Sequence, residues 1–249
     1  MQNRKKPKDM KFNFEDKKDR LLYIDMQESL DQGNAHVVFD SENTLVLREN
    51  EWPLYYIASS DFEEVDKLLD EIIPKEGKPD DYPMLLPHGD ELIEHVLEKT
   101  GYTGIEKCYQ LLYDRDEPIE FETELDIRKP DPEDFYKIAE TYHMVDEDVL
   151  KQDVADPHFF GGYIDGELAC YAGMHSEGAL GLLHVFEKFR GRGYAQQLEA
   201  HIINNHMKEG RRPYGHVFET NTASLELQKK MGLSRSEGKL AWVWKEEQQ

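Results

Sequence analysis

One run constrains this chain more than any other. In Val185-Phe186-Glu187-Lys188-Phe189-Arg190-Gly191-Arg192-Gly193-Tyr194-Ala195 a short β-like segment ends, two glycines follow at alternate positions, and a long amphipathic segment begins. A chain that turns from strand straight into helix leaves first-turn N–H groups without partners, aimed at one spot together with the positive end of the helix dipole. An anion such as a pyrophosphate satisfies them. Gly191 and Gly193 let the main chain come close without Cβ clashes, and Ala195 keeps the next turn small. Arg190 and Arg192 add attraction and direct contacts. The spacing is neither Gly-x-x-x-x-Gly-Lys-Ser/Thr nor Gly-x-Gly-x-x-Gly. The plainer alternative is a tight strand-to-helix turn with incidental arginines.

Around this run the chain alternates short strand-like segments with helical ones. The first half reads as a helical stretch over Phe14–Leu30, strands at Ala35–Phe39, Thr44–Leu47 and Leu54–Ala58, and a helix opened by Asp61 and ended by Pro74. A strand at Met84–Leu86, a helix at Glu91–Lys99 closed by Gly101 and a strand at Ile105–Tyr113 follow. The acidic stretch Asp114–Glu124 reads as a boundary, giving domains of 1–120 and 121–249. The second half reads as strand Leu125–Arg128, a helix capped at Pro130 and Asp131, and a short helix at Asp146–Lys151. Strands come next at Phe159–Ile164, Glu167–Met174 and Leu180–Phe186, with the hairpin signal Asp165-Gly166 between the first two. Helix Tyr194–Lys208, strand Tyr214–Phe218, helix Ala223–Met231 and strand Leu240–Trp244 complete it. Leu97-Glu98-Lys99-Thr100-Gly101-Tyr102 resembles Gln228-Lys229-Lys230-Met231-Gly232-Leu233, 131 residues later. The halves therefore read as two copies of one fold, the first degenerate and without a glycine-rich loop; two unrelated α/β segments that both end a helix with glycine are the alternative.

The formal charge of -22 is uneven: 15 basic and 31 acidic residues in 1–124, 15 and 21 in 125–249. Such acidity repels phosphate backbones, which argues against nucleic acid as the main partner, and draws in cationic amines. No apolar run approaches the ~20 residues of a membrane span, and the basic start lacks the apolar stretch of a signal peptide. Cys108 and Cys170 stand alone, which argues against a disulfide framework or a metal site and for a cytoplasmic setting.

The run Leu183-His184-Val185 through Ala195, with Val217, Asn221-Thr222-Ala223-Ser224 and Met231-Gly232-Leu233, resembles the GNAT acetyltransferase superfamily over about residues 125–249. Pro213-Tyr214-Gly215-His216-Val217 is also similar to the glycine N-acyltransferase-like branch, which pairs an N-terminal half of related fold with a working C-terminal half. The resemblance implies an α/β fold with a mixed, mostly antiparallel central sheet flanked by helices. It implies acetyl-CoA as donor and an amine-bearing small molecule or amino acid as acceptor. Leu183, His184 and Val185 would pair through their backbone with the pantetheine arm, and Arg190, Gly191, Arg192, Gly193, Tyr194 and Ala195 would hold the pyrophosphate. Asn221 would contact the pantetheine, with Ser224 and Gln228 also among the coenzyme-binding residues.

An amine attacks a thioester only when neutral, and an alkyl ammonium near pKa ~10.4 is mostly charged at neutral pH. A positioned base contributes about 10²–10⁴-fold. His216 is the first candidate, since some GNAT relatives have their base five residues before the asparagine; a histidine that merely packs there is the alternative. His184 is the second and Glu219 the third. Many family members carry a glutamate on the strand that here holds Ala179 and Leu180, and only Glu177 lies close by. Many also have a tyrosine acid where this chain has Gln228, which donates a hydrogen bond but supplies no proton. A thiol of pKa near ~8.5 leaves without strong help. The expected activity is therefore N-acetyl transfer, with a coenzyme-binding regulatory protein of little or no turnover as the rival and a mononucleotide-binding fold as a third reading.

Overall fold

The computed structural model describes residues 10–143, 146–175 and 177–246. In chain order the elements are α1 (Ile24–Gln32), β1 (Ala35–Asp40), β2 (Thr44–Glu49), β3 (Leu54–Ser59), α2 (Phe62–Ile72), β4 (Met84–His88), α3 (Asp90–Thr100) and β5 (Gly104–Leu112). They continue with β6 (Asp126–Arg128), α4 (Phe135–Ala139), α5 (Glu147–Ala155), β7 (Phe160–Ile164), β8 (Glu167–Met174), β9 (Leu180–Val185), α6 (Tyr194–Lys208), β10 (Tyr214–Phe218), α7 (Thr222–Met231) and β11 (Ser234–Trp244). The chain divides into two compact units. Unit 1 takes Met1–Leu111, His216–Thr222 and Arg235–Gln249; unit 2 takes Leu112–Gly215 and Ala223–Ser234. Segments from late in the sequence thus complete the first unit.

Unit 1 is a seven-stranded mixed sheet in the order β1-β2-β3-β4-β11-β5-β10. Strands β1, β2 and β3 pair antiparallel, β3 and β4 parallel, and β11 runs antiparallel to β4 with Leu240 opposite His88 and Val243 opposite Leu85. Both faces are covered. Leu45, Leu47, Tyr56 and Leu86 pack with Phe12, Leu22 and Met26 on one side, and Val46, Ile57, Leu85 and Val243 pack with α2 and α3 on the other. That is why Thr44-Leu45-Val46-Leu47 reads as a continuous apolar run rather than an alternating one. Asp61 caps α2, accepting from the N–H groups of Glu63 and Glu64 at 3.1 and 3.2 Å. Gly101, with φ of +64°, ends α3.

The continuous helix expected over Phe14–Leu30 is broken. Single 3-10 turns occupy Phe14–Asp16 and Arg20–Tyr23, and α1 begins only at Ile24. Asn13 caps the first turn by accepting from Glu15 N–H, and Asp19 accepts from the N–H groups of Glu237 and Gly238 at 2.8 Å each. Side chains that bond backbone in this way compete with helix propagation.

Unit 2 holds a four-stranded antiparallel sheet, β6-β7-β8-β9. Asp165 (φ +51°) and Gly166 (φ +81°) turn β7 into β8, as the dipeptide predicts. On one face Tyr194, Leu198 and Ile202 of α6 pack with Ala169, Cys170 and Ala172. A second cluster joins Ile138 and Leu150, from α4 and α5, to Phe159, Tyr163, Tyr171 and Leu182. Among the described residues no helix is long and apolar enough to cross a membrane.

Each unit buries an ionisable cluster. In unit 1, Asp25 and His88 have fully buried side chains and His216 is 6% exposed. His88 Nε2 lies 2.8 Å from Asp25 Oδ2, and His216 Nε2 lies 3.3 Å from the same oxygen. Burial works to raise the Asp25 pKa, but the charge of His88 and hydrogen bonds from both imidazoles hold it well below the usual carboxylate range. In unit 2, Gln228 Nε2 donates to Glu199 Oε1 at 2.5 Å, both residues 6% exposed. Burial pushes the Glu199 carboxyl up to about 7, partly offset by that hydrogen bond.

Two outcomes follow. Asp25→Ala removes the buried carboxylate that both imidazoles face, and urea unfolding is expected to show a loss of about 3–5 kcal/mol. The Glu199 pKa is higher folded than unfolded, so the folded state binds this proton more tightly. Its stabilisation, at most about 3 kcal/mol, is complete below the ordinary value of 4.5 and lost as pH rises through about 7. The urea midpoint of the native protein should therefore fall across that window, and Glu199→Gln should flatten the curve.

Candidate functional site

The turn after β9 begins with a 3-10 turn at Glu187–Phe189 and ends where Gly193 caps α6. Gly191 and Gly193 have φ of +77° and +79°, a left-handed conformation that side chains resist. No atom lies within 4 Å of where a Cβ of Gly191 would stand. Phe189 and Tyr194 flank the turn with side chains 4% and 3% exposed, while Arg190, Gly191 and Arg192 are exposed. The buried rings anchor the turn at both ends and leave its middle accessible.

The start of α6 differs from those of α2, α3 and α5, while α4 and α7 share its lack of a first-turn acid. Helices α2, α3 and α5 each place two acidic residues in the first turn, and α2 adds the Asp61 cap. In α6 the first turn has no acid and Gly193 supplies no side-chain cap. N–H groups and a dipole presented in this way can take up an anion. Arg190 donates from Nε to the Val185 carbonyl at 3.0 Å, which fixes its stem beside the turn. Arg192 lies over the Phe189 ring, 6.0 Å from its centroid. Ala195, half-buried, adds no bulk to the first turn.

Strand β9 is the edge of its sheet, so one rim of Leu183, His184 and Val185 is open to an extended ligand. Pairing with β8 slips between Tyr171↔His184 and Gly173↔Gly181, and Leu182 sits at φ +54°. This bulge re-aims the middle of the strand. Past it, the carbonyl of Leu180 would stand 3.0 Å from a Cβ on Gly215, an approach that only glycine allows without displacement. His184 stacks on Tyr171 at 5.4 Å and meets Phe186 edge-on at 5.1 Å. Burial first, then Arg190, lowers its pKa below the ordinary histidine value, which favours the neutral imidazole.

Unit 2 thus brings together Leu183 through Ala195. Gln228, on α7 in the same unit, has its amide N–H turned to Glu199. Ser224 is half-buried in that helix. His216 and Asn221 count with unit 1, where His216 faces Asp25 and Asn221 N–H donates to Phe218 O at 2.9 Å. Glu219 is taken by an ion pair with Lys239 at 2.7 Å. Sequence reading missed the Leu182 bulge, which has no glycine to mark it, and the burial of Glu199. A glutamate five residues into a helix with apolar Leu198 and Ile202 beside it was the available signal.

Comparisons with known proteins bear on the fold. Residues 164–243 match the family model described as FR47-like protein. Comparison with curated proteins gave no match. Among solved structures, a Drosophila protein superposes with a TM-score of 0.61 at 17% identity, covering 94% of this chain and 91% of its own. A GCN5-related N-acetyltransferase from Kribbella flavida gives 0.61 at 12% identity, over 92% and 95%. An acetyltransferase of the GNAT family from Novosphingobium aromaticivorans gives 0.55 at 17%, over 92% and 99%. The chain therefore has the GNAT fold, and the part of it that runs from β7 to β11 resembles the FR47-like family.

Proposed function

We propose that this protein is a coenzyme-A-dependent N-acyltransferase that moves an acetyl group from acetyl-CoA to a primary amine of a small molecule or amino acid. One observation carries the reading: an uncapped, acid-free helix N-terminus at Gly193 follows directly on the open edge of β9. An extended, amide-bearing chain that ends in a diphosphate fits both features at once. In this reading β9 backbone pairs with the pantetheine arm and the amides of Gly191–Ala195 hold the diphosphate. Two free, buried cysteines suit a reducing cytoplasm. We also read the two halves as copies of one fold, a reading supported by Gly101 and Gly232, which end α3 and α7 at matching sequence runs with φ of +64° and +84°.

In the transfer the amine nitrogen bonds the thioester carbon, the carbon–sulfur bond breaks, and the sulfur leaves as thiolate. The amine proton goes to a base. His184 suits that task within unit 2, because its surroundings keep it neutral and ready to accept. His216, oriented by Asp25, is the alternative base. A backbone N–H at the β9 bulge would meet the oxyanion, a contribution that often exceeds that of the base. A second reading, a coenzyme-binding regulatory protein of little turnover, is favoured by Gln228, whose amide is held by Glu199 and which brings no acid.

Calorimetric titration of coenzyme A tests the carrying observation. Valine at both Gly191 and Gly193 is expected to weaken binding at least about tenfold, since left-handed φ costs a branched residue about 1–2 kcal/mol at each site; unchanged affinity overturns the assignment. Thiol release from acetyl-CoA over an amine panel separates enzyme from regulator. His184→Ala should cut kcat by about 10²-fold and remove the acid limb of the pH–rate profile, with coenzyme affinity little changed. An intact limb transfers the role to His216, where His216→Ala is the matching test.

A further inference from the structure

Unit 2 buries a carboxyl group whose two oxygens are treated differently. Glu199 on α6 and Gln228 on α7 are each 6% exposed, and Gln228 Nε2 donates to Glu199 Oε1 at 2.5 Å. The other oxygen of each side chain, Glu199 Oε2 and Gln228 Oε1, is buried and has no hydrogen-bond partner among the described residues. No basic side chain among those residues forms an ion pair with Glu199. A carboxylate enclosed in this way is unfavourable. A proton on Oε2 removes the charge and makes that oxygen a donor, while Gln228 Oε1 is an acceptor that lacks one. The pair is therefore complete as acid and amide, not as carboxylate and amide. Burial pushes the carboxyl up to about 7, so the proton leaves and returns near neutrality.

The surroundings leave this group to titrate by itself. Helix α6 packs against β7, β8 and β9. From these strands, Tyr163 gives its phenol proton to Asp134, the Cys170 thiol is pushed up to about 12 by burial, and His184 is lowered. On α7, Glu226, Lys229 and Lys230 are exposed, as are Glu120, Glu122 and Glu124 of the segment that bonds to Asn204 and Gln197 of α6. Along α6, Arg192 before its start is exposed, His201 is bonded to Asn205, and burial lowers His206 to about 4. None of these acts on the Glu199 carboxyl, whose pKa answers to burial and to Gln228.

Its place in the helix gives the proton a consequence. Glu199 follows the cap Gly193 by six residues on the same helix, a rise of about 9 Å at 1.5 Å per residue. An ionised Glu199 would set a negative charge at that distance behind the first turn, with protein rather than water around it, and would oppose an anion bound there. The neutral acid does not. We propose that Glu199 is a proton-binding site coupled to the coenzyme site, so that the diphosphate at the first turn of α6 and a proton on the Glu199–Gln228 pair are bound together. The inference rests on the coenzyme reading above. The proton comes from solvent as the coenzyme binds and returns to it on release. Coupling is reciprocal: the bound anion tightens the hold of Glu199 on its proton, and affinity for the coenzyme falls as pH rises.

The test is titration calorimetry on the full chain with dephospho-coenzyme A. This probe keeps the diphosphate but lacks the 3′-phosphate, whose own second ionisation near pKa ~6 would obscure the result. Titrations at about pH 7.5 in Pipes and in Tris, which differ in ionisation heat, count the protons exchanged. The native chain is expected to take up about half a proton per coenzyme, and its affinity to fall about fivefold between about pH 6 and pH 8, as about a tenfold preference for the protonated form requires. Glu199→Gln keeps an amide beside Gln228 and cannot ionise, so it should bind with no proton uptake and with an affinity that is level across this range. Binding by the native chain without uptake, or uptake that survives in Glu199→Gln, overturns the coupling alone. No binding by the native chain at any of these pH values overturns the coenzyme reading beneath it.

Discussion

The candidate site depends on main chain that the secondary structure of unit 2 leaves unpaired at two adjoining places, apart from the Val185 carbonyl held by Arg190. One is the outer rim of β9, an edge strand; the other is the first turn of α6. Backbone donors of this kind are normally satisfied, as in α2, where Asp61 accepts from the N–H groups of Glu63 and Glu64. Leaving them open is stable only because the segment between is pinned. Phe189 and Tyr194 sink into the core on either side of a turn whose glycines already hold left-handed φ. The left-handed geometry of the turn is thus set by the chain itself, so a ligand that used it would incur little ordering cost.

The parts of this arrangement that local chemistry decides were legible in the sequence. The limits Tyr194–Lys208 and Tyr214–Phe218 follow from hydrophobic period, and the Asp165-Gly166 turn and the Gly101 stop follow from which residues tolerate positive φ. Non-local partners decided the rest. The segment from Phe14 to Tyr23 has helical spacing, yet Asp19 is drawn to the backbone of Glu237 and Gly238, more than two hundred residues away. Strand β11 begins at Ser234, well before the apolar Leu240, because pairing with its neighbours extends it through polar residues. Nothing in Leu180-Gly181-Leu182-Leu183 announces a left-handed leucine, since the bulge is a property of the pairing with β8.

Charged letters were the hardest to read, because a sequence gives no sign of which carboxylates lose their water. Asp25 and Glu199 look like surface residues in a chain with 52 acids, and both are buried. The structure resolves their common cost in different ways. Asp25 remains ionised because two imidazoles face it. Glu199 sits against an amide, and its proton stays on up to about pH 7.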